Sequence, residues 1–187
     1  HGYKKLGLNK FDMAHIMEQA NICDEMVSYT DSDGQQQSEK RFTCNGSWTF
    51  DQSPPKVLER IMSSCGGKPY RRGGKIYLQT ASYHGMAELT LTDNDAAGEI
   101  IITPHRELKD RCNLVRASLQ DPKKGYQPTD APVVKNEIYI ERDGMELEDE
   151  LQLNFTNSAT MAQRLMKYHL ERNRAGVRIQ FPCKAKG

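Results

Sequence analysis

Several features that mark common functional classes are missing from this sequence. No apolar run approaches the roughly 20 residues that span a bilayer, and no basic segment leads into an apolar one as in a signal peptide. The 26 basic and 25 acidic residues leave a net charge of +1. No overall field therefore draws the protein to nucleic acid or to an anionic membrane. Because the 187-residue chain begins with His1 rather than Met, we expect it to be a piece of a longer protein.

Disulfide and zinc motifs are missing too. No two of the five cysteines have the CxxC spacing of a zinc site or a redox motif. Their odd number and wide separation predict reduced, mostly buried thiols, as in a protein that folds in a reducing cytosol. We therefore predict neither a disulfide nor a bound metal. The cysteines are Cys23, Cys44, Cys65, Cys112 and Cys183.

Catalytic and cofactor motifs are equally scarce. The Gly-rich loop Gly66–Gly74 follows a predicted helix and precedes a strand, which is the reverse of the order in a phosphate-binding loop. Thr92–Glu99 lacks the ligand positions of an EF-hand, and no GxSxG elbow occurs. The histidines (His1, His15, His84, His105 and His169) form no HxH or HExxH group, and we expect His169 to be a half-buried ring on a helix. The sequence predicts no catalytic, cofactor-binding or metal-binding residues, although paired carboxylates would leave little trace.

Apolar residues at helical spacing predict three helices. They lie near Lys10–Val27, Pro55–Ser64 and Ala159–Arg174. The last has the clearest limits, because Asn157 or Ser158 can cap its start and Gly176 can end it.

Period-2 patterns predict strands in most of the remaining chain. A hairpin is expected between Pro69–Arg72 and Lys75–Ala81 around Gly73-Gly74, and a second between Val133–Glu141 and Leu147–Phe155. The other extended segments are Lys40–Phe50, Glu88–Thr92, Glu99–Thr103, Asn113–Leu119 and the alternating Val177, Ile179 and Phe181. Asp121–Pro132 is expected to be a mobile, structureless loop, and Trp48 a core residue.

These elements predict an α+β chain of mainly antiparallel sheets packed with about three helices, in one or two small subdomains. We expect residues 1–50 to form an N-terminal helix with an extended segment and residues 51–187 an α+β module. The two parts could also be one continuous domain.

Several segments, taken in order, resemble the central tail hub proteins of lambda-like long-tailed bacteriophages. Each is weakly specific alone, but their order and spacing agree from about Phe11 to Cys183. They are Phe11-Asp12 with the helix ending in Cys23-Asp24-Glu25, Arg41–Gly46, Pro55–Met62, Gly73-Gly74-Lys75, Asn113-Leu114-Val115, Asp121-Pro122, Tyr126-Gln127-Pro128, Asp143-Gly144, Leu151–Phe155 and Ala162-Gln163-Arg164.

The resemblance implies a non-catalytic structural protein of the virion, synthesised in the bacterial cytoplasm and trimeric in the assembled tail tip. It would join the tail tube to the host-contacting fibre, with other tail proteins and itself as partners and at most an indirect contact with the host surface. Such proteins are several times longer, so this chain would be an internal part of one. Two alternatives stay open: a cell-wall-degrading enzyme of the tail tip, marked by paired acids in a cleft, and a sugar-binding module, marked by exposed aromatics around Trp48, Tyr70 or Tyr126.

Overall fold

The computed structural model describes residues 7–31, 33–83, 85–86, 90–104, 107–175 and 177–184. The helices in these ranges are α1 (Met13–Asp24), α2 (Pro54–Ser63), α3 (Glu137–Asp143) and α4 (Ala159–Arg174). The strands are β1 (Met26–Thr30), β2 (Gln36–Lys40), β3 (Lys68–Arg72), β4 (Lys75–Gln79), β5 (Ile101–Thr103), β6 (Leu114–Asp121), β7 (Gln127–Asp130), β8 (Val134–Lys135), β9 (Glu148–Leu153) and β10 (Arg178–Gln180). The predicted α+β class is confirmed.

A four-stranded sheet around β6 forms the centre of the fold. Strand β9 pairs with β6 in parallel, while β7 and β8 pair with it antiparallel. Strand β9 occupies one edge of β6 along residues 114–119. Both antiparallel strands therefore lie on the other edge of β6, where β8 pairs near the start of β6 and β7 near its end. The other three sheets found in the described ranges are two-stranded antiparallel pairs.

Helix α4 supplies the main apolar layer over this sheet. The hydroxyl of Ser158 accepts a hydrogen bond from the backbone N–H of Met161, so the helix begins at a capped end, as predicted. Its inner face is buried and packs against β6, whose inward side chains are also buried. The buried residues of α4 are Met161, Ala162, Leu165, Met166 and Leu170.

A second layer consists of α1, α2 and the β3–β4 hairpin. Helix α2 begins at Pro54-Pro55, ends before Gly66-Gly67 and buries Val57 and Met62, in close agreement with the prediction. Tyr70 and Tyr77 stack across the hairpin with ring centroids 5.2 Å apart, and the turn at Gly73-Gly74 is confirmed. These elements agree with the sequence because their limits are set by local Pro and Gly signals.

A polar contact attaches α1 to the hairpin. Gln19 is 5% exposed, and its Oε1 accepts hydrogen bonds from the backbone N–H and the hydroxyl of Thr80 at 3.0 and 2.9 Å. Asp12 caps the helix by accepting from the His15 backbone N–H, and the Tyr77 hydroxyl donates to the same carboxylate. This helix is therefore held by specific polar contacts as well as by packing.

The segment after β2 runs across the central core. Phe42 is buried within the same apolar cluster as Met161, and the Asn45 N–H donates to the Phe155 carbonyl at 2.8 Å. A Cβ atom added to Gly46 would lie 1.5 Å from Cδ1 of the Phe155 ring. Only a glycine allows the backbone to pass so close to that ring.

The N-terminal half corrects several predictions. Helix α1 ends at Asp24, and Val27 lies in β1, which forms a hairpin with β2. Apolar spacing also predicts that Met13 and Met17 lie on the buried face of α1, but they are 46% and 63% exposed, and the buried residue of the helix is Gln19. The expected strand Lys40–Phe50 is irregular beyond Lys40, and Trp48 is 51% exposed instead of buried.

Residues 121–143 correct the second hairpin and the long loop. Asp121–Pro132 is not structureless: Pro122–Lys124 form a short 3-10 helix, and Gln127–Asp130 form β7 on the edge of β6. Most of Val133–Glu141 is helix α3, which Asn136 caps by accepting from the Ile138 N–H. Strand β9 therefore has β6 as its partner, and α3 lies in the connection that makes the parallel pairing possible.

The remaining predicted strands have mixed outcomes. Glu99–Thr103 and the segment around Ile179 do form strands, β5 and β10, which pair antiparallel. Their apolar side chains are nevertheless exposed, because no other described element covers this two-stranded ribbon. The expected strand Glu88–Thr92 falls partly on residues 87–89, which lie outside the described ranges, as does Gly176.

Candidate functional site

A cleft of about 550 Å³ lies between α4, the end of α2 and β9. Its lining is mixed polar and apolar. Among the described residues it carries three cationic side chains, Lys68, Arg172 and Arg178, and one carboxylate, that of Glu59. The described lining therefore holds no facing pair of acids, on which glycoside hydrolysis depends. The other lining residues are Ser63, Gly66, Gly67, Leu151, Gln152, Leu153, Leu165, Tyr168, His169 and Asn173.

Carboxylates with shifted pKa values lie outside this cleft and have structural partners. Hydrogen bonding by the His15 backbone N–H lowers the pKa of Asp12, and the backbone N–H of Gln35 does the same for Asp31 in its turn. A catalytic acid needs the opposite shift, a raised pKa, if it is to hold a proton near neutral pH. These lowered pKa values are those of capping and turn residues.

Glu39 connects the β1–β2 hairpin to the start of α4. It accepts hydrogen bonds from the hydroxyls of Ser158 and Thr160 and pairs with Arg164 at 2.9 Å. Burial alone would raise the pKa of Glu39, but these three partners outweigh it and hold the pKa below its ordinary value. The N-terminal hairpin is thus attached to α4 by a charge that is largely shielded from solvent.

A buried polar network joins β6, α3 and α4. Asp143 and Arg174 form a bidentate ion pair at 2.7 and 3.2 Å, with side chains only 2% and 9% exposed. Asn113, which is fully buried, donates to Asp143 at 3.0 Å and accepts from the Leu147 backbone N–H at 2.8 Å. Burial would raise the pKa of Asp143, but Arg174 and Asn113 hold it below its ordinary value. The network fixes the geometry of the parallel β6–β9 pair.

Three potential metal ligands come together beside this network. The Sγ atom of Cys112, a carboxylate oxygen of Asp149 and a ring nitrogen of His169 all lie within 4.8 Å of one another. The ring Nε2 of His169 is 2.7 Å from Oδ2 of Asp149, which agrees with the expected half-buried ring. The sequence does not predict this cluster, because its members are far apart in the chain. Only the pairing of β6 with β9 would have indicated that Cys112 and Asp149 lie close together.

Two other thiols lie side by side at the contact between α1 and α2. Cys65 is buried and its thiol donates to the Met62 carbonyl at 3.3 Å, and it also interacts with the thiol of Cys23. This contact lowers the pKa of Cys65 to about 7 and raises that of Cys23. The two thiols therefore titrate as an interacting pair.

The other candidate residues are accounted for in part. Gly66–Gly74 is a helix stop followed by a hairpin, as predicted, and Thr92 and Asp95 form a capping box around a short 3-10 helix. His1, His84 and His105 lie outside the described residues.

Among the described residues, exposed large apolar side chains form a group beside α2 and another on the β5–β10 ribbon. Trp48 and Phe50, 51% and 101% exposed, line an apolar groove of about 310 Å³ beside α2. Ile102 and Ile179, 59% and 58% exposed, are directly opposite each other in the β5–β10 ribbon. Grouped exposure of this kind is typical of a surface that contacts another protein.

The total surface is also large for the mass. The chain exposes 13668 Å², whereas a compact monomer of 21.3 kDa exposes about 9100 Å². This excess is typical of a chain that is less compact than an ordinary monomer of its mass.

Comparison with known proteins assigns the chain to a family. None of the described helices has the length and apolar character needed to cross a lipid bilayer. No curated protein matches the sequence. The profile of a family described as putative phage tail protein matches residues 53–182, more than half of the chain. Members of such a family are structural components of the virion whose partners are other tail proteins. The chain belongs to this putative phage tail protein family.

Proposed function

We propose that this protein is part of the central hub of a phage tail tip, where it joins the tail tube to the host-contacting fibre without catalytic activity. The observation that carries the proposal is the family match over residues 53–182. The ordered resemblance between Phe11 and Cys183 supports the more specific position at the tail tip.

The surface of the protein supports a role in assembly. The groove at Trp48 and Phe50 and the ribbon at Ile102 and Ile179 present apolar side chains that an isolated protein would normally bury. A two-stranded ribbon is at best marginally stable in water when nothing packs on it. Neighbouring tail proteins, or further copies of this chain, would cover both surfaces.

The oligomeric part of the proposal is a homotrimer in the assembled hub. Contacts that are weak between separate molecules become strong when the rest of a hub holds them at high effective concentration. The isolated 187-residue chain can therefore be monomeric in dilute solution without contradicting a trimer in the particle.

We also propose that residues 1–50 and residues 51–187 form one structural unit. The support comes from contacts across the division: Phe42 belongs to the core of the second part, and Glu39 pairs with Arg164. Removal of residues 1–50 should therefore lower the unfolding temperature of the remainder. An unchanged transition would establish two independent domains.

The proposal is tested in a phage that carries the corresponding segment. Replacement of Asn157–Arg174 by a scrambled sequence of the same composition removes the helix on which the central sheet packs. Tails should then lack complete tips in electron micrographs, while Lys167→Gln, at an exposed position of α4, should leave assembly and infection normal. Normal, infectious tails from the scrambled variant would refute a structural role in the tip.

The enzyme alternative has its own measurement. The purified chain should release no soluble fragments from bacterial peptidoglycan, because the described residues of the cleft offer one carboxylate and no facing partner. Measurable turnover that follows the folded protein through purification would establish the cell-wall-degrading function instead.

A further inference from the structure

We propose that Cys112, Asp149 and His169 form a binding site for Zn²⁺ at the junction of β6, β9 and α4. The three side chains offer one sulfur, one oxygen and one nitrogen ligand, all within 4.8 Å of one another. These are the ligand types that zinc accepts in proteins. The inference departs from the sequence-based prediction of no metal, and it does not depend on the proposed place in the tail.

The distances are close to those of a coordinated ion. With bonds of about 2.0–2.3 Å and tetrahedral angles, the ligand atoms of a zinc site lie roughly 3.2–3.8 Å apart. The distance between His169 and Asp149, which is 2.7 Å, would increase by about 1 Å, and the other separations, none above 4.8 Å, would need to decrease by no more than about 1.6 Å. Adjustments of this size need only side-chain rotation at two half-exposed residues.

The backbone around the three ligands is held in place independently of a metal. Val115 pairs with Asp149 in the β6–β9 register, and Cys112 lies just before that strand. Asn173, one turn beyond His169 on α4, accepts from the Cys112 backbone N–H at 3.1 Å and donates to the Asp110 carbonyl at 3.2 Å. Hydrogen bonds from neighbouring residues therefore hold the ligand-bearing backbone in position, as they usually do in protein metal sites.

Exposure distinguishes a metal site from a catalytic triad of the same residue types. Cys112 is 1% exposed, whereas the side chains of Asp149 and His169 are 44% and 34% exposed. A nucleophilic thiol has to reach a substrate carbonyl, which a sulfur as deeply buried as that of Cys112 cannot do. An ion can enter between the outer pair and use the sulfur as its inner ligand, with water in the fourth position.

Cobalt provides the direct test, because a Co²⁺–thiolate bond gives a charge-transfer absorption band in a range where a Zn²⁺–thiolate bond does not absorb. The 187-residue chain, reduced and freed of metal, is titrated with Co²⁺ and then with Zn²⁺. We expect one equivalent of Co²⁺ to produce a thiolate charge-transfer band that one equivalent of Zn²⁺ removes. Free Zn²⁺ at 100 times its Kd should raise Tm by roughly 5–10 °C.

Matched variants assign the band to its ligands. Cys112→Ser should abolish it, and His169→Gln and Asp149→Asn should weaken Co²⁺ binding at least 10-fold, while Cys44→Ser and Cys183→Ser, at exposed cysteines, should leave it unchanged. If Cys112→Ser does not fold, the effects of His169→Gln and Asp149→Asn on Co²⁺ binding decide whether these residues are ligands. The proposal is overturned if the band is absent, if it disappears with Cys44 or Cys183 instead, or if native Cys112 reacts with iodoacetamide faster than Cys44.

Discussion

The ion pair between Asp143 and Arg174 gives the sharpest prediction about stability. Asp143→Asn leaves the Arg174 guanidinium in a site where its side chain is only 9% exposed. Breaking a buried pair in this way costs about 3–5 kcal/mol, out of a total stability of about 5–15 kcal/mol for an ordinary domain. For a chain of this size, the loss corresponds to a Tm lower by roughly 6–20 °C.

The assay is urea and thermal unfolding followed by circular dichroism, with Glu148→Gln as the control. Glu148 pairs with Arg116 at 2.8 Å, but both side chains are about half exposed, so this loss should stay below about 1 kcal/mol. The double change Asp143→Asn with Arg174→Met should cost less than Asp143→Asn alone, because no buried charge is left unpaired. Equal effects of Asp143→Asn and Glu148→Gln would refute the reasoning.

Three further predictions concern pH, packing and exposure. The pKa values of Asp143 and Glu39 in the folded protein lie below their ordinary values of 3.8 and 4.5. The stabilisation by these two carboxylates is therefore complete above the ordinary pKa values and is lost as the pH falls through the folded ones. The urea midpoint should fall steadily from pH 5 to pH 2, and a flat profile would contradict this. Gly46→Ala should destabilise the protein by about 1–3 kcal/mol, because its Cβ would overlap the Phe155 ring. Unchanged unfolding would mean that the backbone at Gly46 does not pass close to that ring. Fluorescence of Trp48, the single tryptophan, should be quenched strongly by iodide in the isolated chain, whereas weak quenching would place it in the core.

Elements whose limits are set by neighbouring residues could be predicted from the sequence. Helix α4 has the predicted bounds because Ser158 caps its start and apolar residues recur along one face. The β3–β4 hairpin likewise follows from Gly73-Gly74, whose positive φ angles suit a tight turn. In both cases the information lies within a few residues of the element.

Helix α3 shows where local information is insufficient. Its apolar residues are β-branched or aromatic and favour a strand, but Asn136 caps a helix there and Gly144 ends it with a φ of 73°. The helix is stabilised by Asn113 and Arg174, which are distant in sequence and both bind Asp143. The predicted hairpin between Val133–Glu141 and Leu147–Phe155 is wrong because nothing local reveals those partners.

The candidate sites could not be predicted from the sequence for the same reason, because they depend on contacts between distant segments. Cys112 and Asp149 meet only because β9 pairs with β6 in parallel, and His169 joins them only because α4 packs over that sheet. The exposure of Trp48 is likewise a property of the surroundings, since a lone tryptophan gives no sign of what covers it. Sequence patterns therefore predict the elements that have local start and stop signals, such as α4 and the β3–β4 hairpin, while long-range pairing determines which side chains meet.

The position of this chain in the phage particle is the central claim, and electron cryomicroscopy of the intact virion tests it most directly. A map of the tail at a resolution that shows helices should contain α4 over its sheet at the tip, between tube and fibre, in three copies around the tail axis. The groove at Trp48 and the β5–β10 ribbon should then be covered by neighbouring subunits. Density for this fold in the tube wall, in another copy number or away from the tip would contradict the hub.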